Sequence, residues 1–238
     1  MQKHTLAKFK YYSILPEESV NRHKTVIIYH GWGGTAEGYK DIAEELSKEG
    51  YQVIIPEIVF HDTRQPLDNH FDRETTQQCF WRTIFESIDE FNDFVTELVI
   101  QKEEIVVAGS SMGGFIANGI FARETSVSGL ANINGSGSFL LSEKLFREKD
   151  GRGEIPLEEV KKLKQYDPVT RVTATSPVLL IHGDADEIIS IEGQKDYYRH
   201  LTESEKRKKV EFKIHKDVNH VFTAEMAGDL IGWLKKTF

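Results

Sequence analysis

The chain lacks most of what would tie it to a membrane, an oxidising compartment or a polyanion. It has one cysteine, Cys79, so no internal disulfide can form, and with no metal-ligand spacing around it a half-buried thiol is expected. No run approaches the roughly 18 apolar residues of a membrane span. Met1–Thr5 leads into no apolar segment of the kind a secretory leader carries. Lys and Arg number 30 against 38 Asp and Glu, and the net charge of −8 argues against nucleic acid or an anionic membrane as partner. Neither the Gly-Lys-Ser/Thr nor the G-x-G-x-x-G phosphate motif is present. There is no internal repeat and no linker. A cytoplasmic protein of one domain, residues 1–238, is expected. Its 238 residues suffice for a large α/β core.

What is present centres on Ile105–Phe115, IVVAGSSMGGF. An apolar β-branched run ends in a Gly-rich turn, and Phe115, Ile116, Gly119, Ile120 and Phe121 then recur at helical spacing. Gly-x-Ser-x-Gly between a strand and a helix is the nucleophile elbow. The glycines on either side, Gly109 and Gly113, let strand and helix approach where a Cβ would clash. The central Ser111 stands clear of the sheet. Ser110 is the alternative nucleophile, without symmetric glycines, and a phosphate-cradling turn is the alternative use of the stretch.

Other strands are predicted at Leu6–Leu15 (an edge strand ended by Pro16), Thr25–His30, Tyr51–Ile55, Gly129–Ile133, Pro177–His182 and Lys209–Ile214. Helices are predicted around Tyr39–Leu46, Phe80–Val99, Leu157–Tyr166, Ile191–Leu201 and Phe222–Leu234. The alternation implies a mostly parallel sheet with helices on both faces. Glu57–Gln78 reads as a long polar loop, and its His61, Asp62, His70 and Asp72 as solvated rather than metal-binding. Phe139–Val172 breaks the rhythm and reads as an inserted cap, or else as a solvated helical excursion.

Ligands collect at the carboxyl ends of parallel strands. Past those ends lie His30-Gly31-Trp32-Gly33-Gly34, Ser111, His182-Gly183-Asp184-Ala185-Asp186 and His220. A serine hydroxyl needs a base, a histidine base needs a carboxylate, and a tetrahedral oxyanion needs two N–H donors. His220 is preferred as base over His215, and Asp186 as acid over Asp184. The N–H groups of Trp32 and Met112 are the expected oxyanion donors. His30 and His182 read as structural. A pocket walled by Trp32, by the Glu57–Gln78 loop and by the Phe139–Val172 excursion, with Phe139, Leu140, Leu141, Leu145 and Phe146 as its apolar lining, would suit short or medium acyl chains.

These motifs together, from Val26 to Leu234, resemble the α/β-hydrolase superfamily, and within it the small prolyl-oligopeptidase-like and dienelactone-hydrolase-like bacterial esterases. The His182-Gly183-x-x-Asp186-x-Ile188 turn points that way. The resemblance implies an α/β-hydrolase fold with a small helical cap at 139–172. It also implies hydrolysis of small esters without metal or organic cofactor, with Ser111, Asp186 and His220 as triad and Trp32 and Met112 at the oxyanion hole. No propeller domain is present to restrict peptide access, which weakens a peptidase reading. A thioesterase, a lactone hydrolase or a non-catalytic binding protein on the same fold remains open.

Overall fold

The computed structural model describes residues 1–171 and 175–238, so Val172, the expected end of the cap, lies outside the described residues. Among the described residues the strands form one eight-stranded sheet in the order β1-β2-β4-β3-β5-β6-β7-β8. The strands are β1 Gln2–Leu6, β2 Phe9–Ile14, β3 Thr25–Tyr29, β4 Gln52–Pro56, β5 Ile105–Ser110, β6 Gly129–Ile133, β7 Val178–Gly183 and β8 Val210–His215. From β4 to β8 neighbouring strands run parallel, while β1–β2 and β2–β4 are antiparallel.

The helices are α1 Lys40–Lys48, α2 Arg73–Leu98, α3 Met112–Phe121, α4 Phe139–Asp150, α5 Leu157–Tyr166, α6 Ile191–Arg199 and α7 Ala224–Thr237. None of those described is long and apolar enough to cross a membrane. Strand side chains alternate between two faces. Ile27, Tyr29, Val107 and Leu130 pack with α2 and α3. Val26, Ile28, Val106 and Ala131 pack with α1 and α7. Both faces are thereby covered, which explains why the inner strands β3, β5 and β7 read as apolar runs, while the edge strand β8 alternates.

Two expectations need correction, and one helix has no predicted counterpart. Leu6–Leu15 is not one edge strand but a hairpin, turned at Ala7, whose φ is +51°. Alanine rarely takes that conformation, so no turn residue announces it. The polar loop after β4 ends sooner than Gln78, because Asp72 caps α2 by accepting from the Thr75 N–H at 2.9 Å. Phe139–Asp150, in the Lys/Glu-rich part of the excursion, is a regular helix closed by Gly151 at φ +66°.

Candidate active site

Ser111 sits between β5 and α3 with φ +57° and ψ −124°, a strained conformation for a side chain with a Cβ. The strain follows from how closely strand and helix approach. A Cβ at Gly109 would stand 2.0 Å from the Gly113 carbonyl oxygen, and one at Gly113 would stand 1.9 Å from the Tyr29 carbonyl oxygen. Both contacts are with backbone and cannot relax cheaply. Gly113→Ala should therefore cost at least about 3 kcal/mol of stability, read as a lower urea midpoint. An unchanged midpoint would contradict the packing described.

Three strand ends bring their side chains together. His220, in the turn between β8 and α7, places Nε2 2.8 Å from Ser111 Oγ and Nδ1 2.7 Å from Asp186 Oδ2. The carboxylate selects the Nδ1–H tautomer, which leaves the Nε2 lone pair facing the hydroxyl. Asp186 Oδ1 accepts the N–H groups of Ile188 and Ile189, each at 2.9 Å. Its side chain is fully buried. Burial alone would raise its pKa, but hydrogen bonds from His182 and His220 and from the loop backbone overcome this and hold it well below the usual carboxylate range.

The competing residues are engaged elsewhere. His215 Nε2 pairs with Asp229 on α7 at 2.9 Å. Asp184 accepts the Asp217 N–H at 2.6 Å and so joins two turns. Ser110 is buried and bonded to Tyr39. His182 is not remote in this sense: its Nε2 donates to the Ile189 carbonyl at 2.9 Å and lies 3.3 Å from Asp186 Oδ2, beside the carboxylate that His220 uses.

The loop after β3 runs against the elbow: a Cβ at Gly31 would lie 3.2 Å from Ser111 Cβ. The 57–72 segment braces this loop at several points. Asp62 bonds His30 Nε2 at 3.0 Å with one oxygen and accepts the Ala36 N–H at 2.9 Å with the other. His61 Nε2 accepts the Gly33 N–H at 3.0 Å, while its Nδ1–H donates to the Val59 carbonyl at 3.0 Å. Trp32 Nε1–H donates to the His70 carbonyl at 2.8 Å, and His70 Nε2–H to the Phe60 carbonyl at 2.8 Å. His61 and Asp62 are thus not solvated, contrary to expectation. Their role had no local signal, because each partner lies about thirty residues away in the chain.

His61 must stay neutral for this arrangement, since a proton on Nε2 would meet the Gly33 N–H. Burial pushes its pKa down to about 4, with His30 and His70 adding repulsion and Asp62 opposing it. Between about pH 6.5 and 4 the unfolded chain binds a proton that the folded one refuses. Stability should therefore fall as pH drops through that window, by up to about 3 kcal/mol from this residue. Urea unfolding at pH 7 and 4.5 measures the loss, and His61→Gln should flatten the slope. An equally steep slope in the variant would assign it to other groups.

A cavity of about 230 Å³ opens beside Ser111. Its apolar wall is Trp32, Phe80, Trp81, Phe146, Ile188 and Ile189. Trp32 lines it as expected, as do Thr76 and Gln77 from the 57–78 segment and Glu143, Lys149, Asp150 and Arg152 from the excursion, but of the five apolar residues expected to line it from the excursion only Phe146 does. Phe139 is fully buried and packs on Trp81 and Phe115 instead. Phe80 and Trp81 take its place from the first turns of α2, where helical periodicity marks them as inward-facing but cannot say that a void adjoins them.

A model of the dienelactone hydrolase family matches residues 9–232. Esterase YjfP of Escherichia coli (strain K12) is 27% identical over 211 residues, covering 84% of this chain and 83% of that protein. Putative esterase YitV of Bacillus subtilis (strain 168) is 24% identical over 218 residues, covering 83% and 82%. The crystal structure of TT1662 from Thermus thermophilus superposes with a TM-score of 0.71 at 18% identity, over 99% of this chain and 96% of that one. That likeness speaks for the fold alone, which is the α/β-hydrolase fold. Because the family match runs from Phe9 in β2 to Gly232 in α7, through every strand of the parallel sheet, the chain belongs to the dienelactone hydrolase family.

Proposed function

We propose that this protein is a carboxylic ester hydrolase in which Ser111, His220 and Asp186 form the catalytic triad. The observation that carries the reading is the continuous hydrogen-bonded chain from Ser111 Oγ through His220 to Asp186, with contacts of 2.8 and 2.7 Å. Two esterase-named relatives support the same reaction class.

In this reading Ser111 Oγ attacks the ester carbonyl as its proton passes to His220 Nε2. The N–H groups of Trp32 and Met112 hold the oxyanion. Met112 suits this as the first residue of α3, whose opening N–H groups have no partner in the helix. Collapse expels the alcohol, which takes the proton from His220, and water then repeats the sequence to release the acid. The triad supplies nucleophile and base by itself, so the reaction calls for neither metal nor organic cofactor. We read 1–238 as one domain with α4 and α5 as its cap. The free Cys79 suits a reducing compartment, and we place the enzyme in the cytoplasm.

A cavity of about 230 Å³ suits a small or medium acyl group. Each added methylene contributes about 0.8 kcal/mol, roughly fourfold in kcat/KM, until the wall is met. Across p-nitrophenyl esters kcat/KM should rise from acetyl to about butyryl or hexanoyl and then fall. A fluorophosphonate probe should label Ser111. If the probe does not label Ser111 and none of the esters turns over, the reading fails. A steady rise through long chains would instead remove the closed acyl pocket.

A further inference from the structure

One wall of the cavity is not apolar. Glu143, on α4, lines it although its side chain is only 2% exposed. Its Oε1 accepts from Arg147 Nε at 2.7 Å and from Arg152 Nη1 at 3.0 Å, and its Oε2 accepts from Trp81 Nε1 at 2.8 Å. Arg147 also reaches Glu159 at 2.6 Å, and neither of those two lines this cavity. Arg152, which does line it, also donates to Asp150 at 3.1 Å. A carboxylate offers about four acceptor sites. The two arginines both sit on Oε1 and the indole on Oε2, and Glu159, tied to Glu143 through Arg147, has its pKa raised by burial and by the Glu143 charge beside it. Among these hydrogen bonds Oε2 accepts from the indole alone, which leaves it acceptor capacity.

Packing alone does not require this. Trp81, whose indole Glu143 accepts from, already packs on Phe115, Phe139 and Phe146. An apolar residue there would complete the wall without the cost of burying a charge. The carboxylate also penalises an alkyl chain. Glu143 lines the cavity, so an alkyl chain that fills it lies against the carboxylate and offers no donor, and an acceptor stranded in this way is costly. A chain with a hydroxyl supplies the donor.

We propose that Glu143 is a specificity-determining residue, and that the preferred acyl group is a short chain carrying a hydroxyl that donates to Glu143 Oε2. This rests on the esterase reading of Ser111 given above. Selection by a hydrogen bond to a buried charged group is worth about 10- to 100-fold in kcat/KM. A methoxy group, which accepts but cannot donate, should earn none of it.

The test uses the intact protein with matched p-nitrophenyl esters. The 3-hydroxybutyrate and 6-hydroxyhexanoate esters are each compared with the plain acyl ester and with the methoxy analogue. In the wild type at least one hydroxy ester should exceed both of its partners by about tenfold or more in kcat/KM. Glu143→Gln puts an amide in place of the carboxylate, and the ratio of hydroxy to plain ester should collapse towards one, with the change carried by KM. Because the readout is a ratio between substrates, a general loss of activity in the variant does not imitate the result. Trp81→Phe removes one donor from Oε2 and should keep or raise the hydroxyl preference, which tests the contact if Glu143→Gln does not fold. Hydrolysis of plain esters without hydroxyl preference in the wild type overturns the role of Glu143 while the esterase reading stands. A preference that survives Glu143→Gln also overturns it. Failure to hydrolyse any of the esters overturns both.

Discussion

Ser111→Ala should lower ester turnover by about four to six orders of magnitude, with little change in stability. The substitution removes one atom, Oγ, the atom that would bond to the acyl carbon. Alanine carries the same Cβ as serine, so the strain at φ +57° is no greater than in the native protein. The residual rate would reflect the oxyanion donors and the acyl pocket. Ser110→Ala serves as the contrast. Ser110 is buried and engaged by Tyr39, so its loss should leave turnover within about tenfold of wild type. Initial rates with p-nitrophenyl butyrate, together with labelling by a fluorophosphonate, read both outcomes. An active Ser111→Ala beside an inactive Ser110→Ala would reverse the assignment.

His220→Ala should be almost as damaging, at about four to six orders of magnitude, because without it nothing accepts the serine proton. Asp186→Asn should cost about 10⁴-fold, because an amide can hold the imidazole in the wrong tautomer. The two losses should not add, since both disable one proton path. His215→Ala supplies the control. Its imidazole pairs with Asp229 at 2.9 Å, away from the elbow, so activity should persist. A folded His215→Ala protein without activity, together with an active His220→Ala protein, would place the base at residue 215.

The parts of the site that could be read in the chain are those held by local stereochemistry. Gly109 and Gly113 are legible because a backbone carbonyl occupies the place of each missing Cβ. Ser111 and Asp186 are legible because each lies within three residues of the end of a buried apolar strand, and His220 because it lies in the loop between β8 and α7; parallel strands deliver their ends to one edge of the sheet. The hairpin at Ala7 was hidden, since neither glycine nor asparagine marks its turn. The start of α2 was hidden because its first turns, from Arg73 to Gln78, are polar, although Asp72 and Thr75 form a cap that could have been recognised. The pocket wall was hidden for another reason. Periodicity assigns Phe80, Trp81 and Phe139 to inward faces alike, and only the packing of α4 against α2 decides that the first two meet the cavity and the third does not.

The tie between the loop after β3 and the 57–72 segment constrains how such proteins can be recombined. Gly33, Ala36, Trp32 and His30 take their partners from His61, Asp62 and His70, with α1 and β4 lying between the two groups in the chain. A chimera with a relative whose crossover falls within α1 or β4 would inherit the two halves from different parents. It could keep serine, histidine and aspartate in register and still present Trp32 at the wrong angle. A crossover after Arg73 carries both halves together as a single cassette.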